Sequence, residues 1–250
     1  MRYPRLGSFA TITLLSLLMS GCTSAVTTSP TAALGTPEIV YAAIGASETY
    51  GTGADDRNRQ AWPQVFFNEA LPESAVFYNF GIPGATTAQA LKDELPPALR
   101  IHANLVTVWL NVNDLVQGIS PTIYGAQLQQ LIHGLRRESR ARVLVANVPD
   151  LRQLPAFKAC EPNAPDAGPA CPIPSTLVPS ADQVYALITA YNAVIAEVVK
   201  HEGATLVDIY SQDSVLGQHP DWISSDGFHP SAAGYAVIAQ AFADAYRRSR

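Results

Sequence analysis

From residue 38 onward the chain alternates two kinds of apolar pattern. Short, nearly uninterrupted apolar runs stand at 38–45 (EIVYAAIG), 75–80 (AVFYNF), 105–110 (LVTVWL), 142–148 (RVLVANV) and 205–209 (TLVDI). Runs of this length predict strands buried on both faces of a parallel sheet. Between them, apolar positions recur at helical spacing. Ser120-Pro121 predicts an N-cap and a first-turn proline ahead of a helix with Leu128, Leu131, Ile132 and Leu135 on one face. Ser180 with Gln183 predicts a capping box, opening a helix whose Val184, Leu187, Ile188, Tyr191, Ile195 and Val198 share a stripe. A last helix is predicted from near Ser231 to about Arg247. This β–α alternation, without internal repeats, predicts a three-layer α/β/α domain over 38–250. Its mostly parallel, five-stranded sheet should carry reactive groups at the carboxyl ends of the strands.

Ahead of the domain, residues 1–21 contain basic Arg2 and Arg5, an apolar run from Phe9 to Met19, and then small residues. These are the three parts of an export signal. Thr11, Thr13 and Ser16 interrupt the run, which is shorter than the roughly 20 residues of a transmembrane helix. The ending Leu18-Met19-Ser20-Gly21-Cys22 resembles a bacterial lipobox, which implies lipid on Cys22 and a membrane-anchored mature protein. An ordinary secretory signal, with Cys22 incidental, is the alternative. Residues 22–37, rich in Thr, Ser, Ala and Pro, predict a flexible tether. Within the domain, 149–179 breaks the rhythm with eight of the chain's 19 prolines, plus Cys160 and Cys171. So much proline predicts a long surface excursion without helix or regular strand. Two cysteines in an exported loop predict a disulfide; zinc is the weaker reading, since no His or further Cys lies nearby.

Composition narrows the function classes. A chain of 250 residues, 48% hydrophobic and 15% charged, holds one sizeable core and excludes wholesale disorder. Its 16 Lys+Arg against 21 Asp+Glu leave a net charge of −5, which argues against nucleic acid as a partner. The glycines at 45, 51 and 53 make neither a phosphate loop nor a dinucleotide fingerprint. No metal or cofactor is expected, and the domain is expected to be a monomer.

Four segments carry the candidate chemistry, three just after predicted strands and one in the last loop. They are Ile44-Gly45-Ala46-Ser47-Glu48, Asn79-Phe80-Gly81-Ile82-Pro83-Gly84-Ala85-Thr86, Asn111-Val112-Asn113-Asp114 and Asp226-Gly227-Phe228-His229-Pro230. A serine hydroxyl needs a base to become a nucleophile, and His229 can take its proton. Asp226, three residues earlier, can hold the imidazole in the required tautomer. Backbone N–H groups of Ser47 and Gly81 and the amide of Asn113 could stabilise an oxyanion. His102, His133, His201 and His219 have no Asp three residues before them and are expected on the surface. Trp222 is the tryptophan expected to wall a pocket, while Asn79 and Asp114 are expected to support their loops. Ile82, Leu115 and Phe228 could line an acyl pocket.

In order and spacing these blocks closely resemble the SGNH hydrolases, also called GDSL-type esterases and lipases. The family's Ser, Gly, Asn and His match Ser47, Gly81, Asn113 and His229, and its Asp matches Asp226. The resemblance spans Ile39 to about Tyr246. It implies a flavodoxin-like sandwich and ester hydrolysis without metal or cofactor, acting on a small-molecule or glycan ester. Two positions depart: Ala46 replaces the usual Asp before the serine, and Asn111 replaces the usual Gly of the third block, adding bulk beside the oxyanion donors. Acyl transfer to a sugar or O-deacetylation of a polysaccharide would use the same site. A glycan- or lipid-binding lipoprotein without turnover is the alternative from another class.

Overall fold

The computed structural model describes residues 38–161, 171, 178–211 and 219–249. The export signal, Cys22, the tether, and positions 162–170 and 172–177 of the proline-rich excursion lie outside the described residues.

Five strands form one all-parallel sheet in the order β2-β1-β3-β4-β5. They are β1 (Val40–Gly45), β2 (Val76–Asn79), β3 (Leu105–Trp109), β4 (Arg142–Ala146) and β5 (Thr205–Val207). Between β1 and β2 run α1 (Ser47–Tyr50), α2 (Arg57–Gln60) and α3 (Trp62–Ala70); between β2 and β3 run α4 (Thr87–Asp93) and α5 (Leu95–Arg100). Next come α6 (Val112–Val116) and α7 (Pro121–Ser139) before β4, then α8 (Pro155–Lys158) and α9 (Ala181–His201) before β5, and finally α10 (Ala232–Arg248). Ser120 caps α7 and Ser180 closes the expected capping box on α9.

Alternation along the strands divides the core into two layers. Ala42, Ile44, Val106, Val108, Val143 and Val145 face a cluster with Tyr124, Leu128, Leu131, Ile188 and Tyr191 of α7 and α9. Tyr41, Ala43, Leu105, Leu144 and Val207 face the other way, onto Trp62, Phe66, Tyr235 and Phe242 of α3 and α10. Here Trp62 stacks on Phe242 with ring centroids 4.0 Å apart. Strands sandwiched this way need apolar residues on both faces, hence the uninterrupted runs.

The proline-rich segment corrects one expectation. Leu151–Gln153 forms a 3-10 turn, and α8 follows it. Pro155 stands at the start of α8, where a missing N–H costs no helical hydrogen bond and the ring's fixed φ suits the first turn. Proline there starts a helix instead of breaking one. Beyond α8, Cys160 and Cys171 are joined by a disulfide with Cα atoms 4.8 Å apart.

One buried carboxyl ties the helices to the sheet. Glu94, fully buried where α4 meets α5, accepts the Gly45 N–H at 2.7 Å. Burial pushes its carboxyl up to about 8, against the opposing pull of that hydrogen bond. A folded state that holds this proton more tightly than the unfolded chain is favoured at low pH. Its advantage is lost as pH rises from about 4.5 towards 8.

Two expectations follow from this packing. Glu94→Gln keeps an acceptor for Gly45 but cannot ionise, so its melting temperature should decline less than wild type between pH 4.5 and 8. Parallel melting curves for the two proteins would refute the assignment. Replacing both Cys160 and Cys171 by serine should cost roughly 3 kcal/mol for a loop of this size. That loss should lower the midpoint of thermal unfolding by several degrees; an unchanged midpoint would contradict it.

Candidate active site

Strand β1 turns into α1 through a single residue, Ala46. A Cβ on Gly45 would collide with the Thr49 side chain and approach the Trp109 carbonyl oxygen to 2.8 Å, so the turn admits no side chain there. Ser47 therefore begins α1 at the carboxyl edge of the sheet. Its backbone N–H belongs to the first turn, which has no helical acceptor.

The loop ahead of α10 brings the second half of the site to this edge. His229 Nε2 lies 3.0 Å from Ser47 Oγ, across 182 residues of sequence. His229 Nδ1 lies 2.7 Å from Asp226 Oδ2. The other carboxylate oxygen accepts the backbone N–H groups of Phe228 (2.8 Å) and His229 (2.9 Å) and the Ser224 hydroxyl (2.9 Å). Burial works against this charge, but the hydrogen bonds from His229, Phe228 and Ser224 outweigh it and hold the Asp226 carboxyl down at about 2. An anionic carboxylate thus favours a proton on Nδ1, which leaves Nε2 as the acceptor facing Ser47. Behind the imidazole, Gly53 takes φ +95°, and a Cβ there would meet His229 Cβ at 3.0 Å.

The second and third blocks pack beside Ser47. Ile82 N–H donates to the Gly45 carbonyl (2.9 Å), and Gly81 lies against Thr49 and Tyr50 of α1. Asn79 locks this loop: its Nδ2 donates to Thr49 O (2.7 Å) while its Oδ1 accepts the Gly81 N–H (2.9 Å). The Gly81 donor is therefore occupied, and can serve an oxyanion only by sharing with or leaving Asn79. Asn113 Nδ2 donates to Ala85 O (3.0 Å), which orients the carboxamide and leaves its second N–H to donate elsewhere. Asp114, fully buried, accepts from Thr87 N (3.0 Å) and Thr87 Oγ1 (3.2 Å), tying α6 to the start of α4.

The two departures lie inside the protein. Ala46 is buried in the α7–α9 layer of the core. Asn111, expected to add bulk beside the oxyanion donors, is buried and turned towards β4, where Nδ2 donates to Ala146 O (3.2 Å).

Two apolar hollows flank the relay. A small cavity of about 70 Å³ is walled by Trp109, Val112, Trp222, Phe228 and Ile238, with Glu48 as its only ionisable lining residue. A wider groove runs over Leu115, Val116, Phe157, Val178, Leu187 and Phe228. Leu115 and Phe228 thus line the groove, whereas Ile82 packs against the core. Sequence reasoning missed Glu48, whose burial is decided by residues far along the chain and not by its own small, apolar stretch. It missed Glu94 as well, which nothing local marks.

His102, His133 and His201 are exposed, and His219 stacks on Trp222 with ring centroids 4.1 Å apart. Among the described residues no three His, Cys, Asp or Glu side chains are grouped to hold a metal ion. No described helix is long and apolar enough to cross a membrane.

Residues 43–237 match the GDSL-like Lipase/Acylhydrolase family. No curated protein matches the chain. Among solved structures, it resembles a lipase/acylhydrolase from Enterococcus faecalis at 20% identity, over 82% of this chain and 94% of that one, with a TM-score of 0.60. An extracellular lipase from Streptomyces rimosus is similar at 17% identity, over 85% of this chain and 100% of that one, with a TM-score of 0.59. A psychrotrophic esterase, EstA, from Pseudoalteromonas sp. was solved inhibited by monoethylphosphonate. It is similar at 14% identity, over 84% of this chain and 97% of that one, with a TM-score of 0.60. At these identities the likeness is one of fold.

Proposed function

The chain belongs to the GDSL-like lipase/acylhydrolase family, and on that premise we propose that it is a serine esterase whose relay is Ser47, His229 and Asp226. The observation that carries this reading is the unbroken hydrogen-bonded path from Ser47 Oγ through His229 to Asp226.

Ser47 Oγ attacks the ester carbonyl carbon while His229 Nε2 takes its proton. Asp226 holds Nδ1 and steadies the imidazolium without taking the proton. The carbonyl oxygen gains a negative charge and is met by the Ser47 N–H, the free amide N–H of Asn113 and the Gly81 N–H, which turns to it from Asn79 Oδ1 or is shared with it. Collapse of this intermediate breaks the ester bond, and the leaving alcohol takes the proton from His229. Water then attacks the acyl-serine with His229 again as base, releasing the acid and restoring Ser47.

The groove over Leu115, Phe157 and Phe228 supports an acyl chain with appreciable apolar surface over an acetyl group on a hydrated sugar. Export is part of the same reading, and it draws support from the Cys160–Cys171 disulfide, a bond that persists in oxidising compartments. Lipid attachment at Cys22 rests on the sequence ahead of the domain.

A fluorophosphonate should label the wild-type protein at Ser47 and leave Ser47→Ala unlabelled, with the adduct located by mass spectrometry. Labelling at another residue, or an inert protein without esterase activity, would sink the assignment. Asn113→Ala should lower turnover of a p-nitrophenyl ester by ~10²–10³ with little change in KM, because the donor acts on the charged intermediate. A mild kcat effect there would remove Asn113 from the oxyanion hole.

A further inference from the structure

We propose that α8, pinned by the Cys160–Cys171 disulfide, is the wall that selects the acyl chain at this site. It favours esters of medium-chain fatty acids over acetyl esters. The proposal rests on the esterase reading above and names the element that chooses among its substrates.

Such a wall cannot be held by its own helix. α8 is four residues long, a single turn, and a helix that short has no stability of its own. Its position comes from ties to the rest of the fold. Ahead of it, Leu151 and Leu154 are buried in the α7–α9 layer of the core, and the Arg152 guanidinium stands over the Tyr185 ring of α9, 4.6 Å from its centroid. At its start, the Ala156 N–H donates to the Gly227 carbonyl (2.9 Å), in the loop between Asp226 and His229. Just past its end comes Cys160, only 7% exposed and bonded to Cys171. The hydrogen bonds of residues 157–161 with other described residues reach back no further than Gln153. Among the described residues, the disulfide is therefore the bond that fastens this end.

The wall borders the groove beside the relay. Phe157 and Cys160 line that groove from the excursion, Leu115 and Val116 from α6, and Leu187 from α9, around a volume of about 670 Å³. Phe228 lines it too, and its ring meets the His229 imidazole edge-on with centroids 5.0 Å apart, so the groove begins one residue from the base. None of its lining residues carries a charge. An acetyl group would leave most of this apolar surface wet, whereas each further methylene laid along it removes apolar area from water. Binding gained in this way distinguishes chains by length, and it is lost where the wall stands away from the chain.

Without the disulfide, packing and local hydrogen bonds alone hold the end of α8, and Phe157 spends less of its time against the groove. The relay does not share that dependence. Asp226 is bonded to Ser224, Phe228 and His229 within its own loop, and Ser47 is set by the tight turn at Gly45. Loss of the tie therefore falls on long acyl chains and spares the attack on the ester.

The test compares p-nitrophenyl octanoate with p-nitrophenyl acetate on the whole protein, at a temperature below the melting point of every variant. Wild type should favour octanoate in kcat/KM. The double variant Cys160→Ser, Cys171→Ser and, separately, Phe157→Ala should each cut the octanoate-to-acetate ratio by about tenfold, through a higher KM for octanoate. Hydrolysis of the acetate should stay within about twofold of wild type, and a fluorophosphonate should still label Ser47. Either variant keeping the wild-type ratio would overturn the proposal, and so would equal losses on both esters, the mark of a damaged relay. An active wild type that does not favour octanoate would overturn it alone, leaving Ser47, His229 and Asp226 in their roles. A wild type that neither labels at Ser47 nor hydrolyses either ester would bring down the esterase reading with it.

Discussion

Position 45 carries no side chain, and the geometry of the whole carboxyl edge depends on that. With Thr49 and the Trp109 carbonyl packed against Gly45, β1 passes into α1 through one residue, and Ser47 is held at the point where a strand becomes a helix. The same glycine serves both neighbours with its backbone. Its N–H goes to Glu94 between α4 and α5, and its carbonyl accepts from Ile82 in the loop after β2. A methyl group here would disturb Ser47, the Glu94 carboxyl and the Gly81 loop together.

Around that turn the site is assembled from separate parts of the chain, each made rigid locally before it meets the others. Asp226 accepts from Phe228 and His229 within its own loop, so the imidazole reaches Ser47 already oriented. Asn79 and Asp114 do the equivalent for the second and third blocks, each joining its loop to a neighbouring helix. Short local hydrogen bonds thus take up much of the ordering entropy before any substrate binds, which is how a site on loops reaches the precision of one on strands.

The sheet and the meeting of Ser47, His229 and Asp226 were legible because each leaves a local mark. Strands covered on both faces must be apolar throughout, and a reactive residue at a strand end follows directly on such a run. α1, α2, α4 and α5 leave no such mark: at 4 to 7 residues they are shorter than two helical turns, so no period develops. Pro155 misled because proline breaks a helix interior but suits its first turn. Glu48 and Glu94 were opaque for another reason. A carboxyl's burial is decided by what packs over it from distant segments, and in Glu94 the partner lies 49 residues away. Asn111 belongs with them, since only the fold shows its amide reaching the end of β4.

The chain enters the domain at the opposite end of the strand that delivers Ser47. Glu38 is gripped there through its carbonyl by Asn104, whose Oδ1 also accepts the Val40 N–H. Six residues of β1 separate that entry from the turn, a span of ~20 Å at the rise of a strand. A pull on Glu38 directed along the axis of β1 is delivered lengthwise through the strand. Since β1 is flanked by β2 and β3, the hydrogen bonds of two parallel neighbours bear it in shear, all loaded at once and none peeled open singly. Ser47 sits at the far end of that strand, past the last of the bonds that would carry the load.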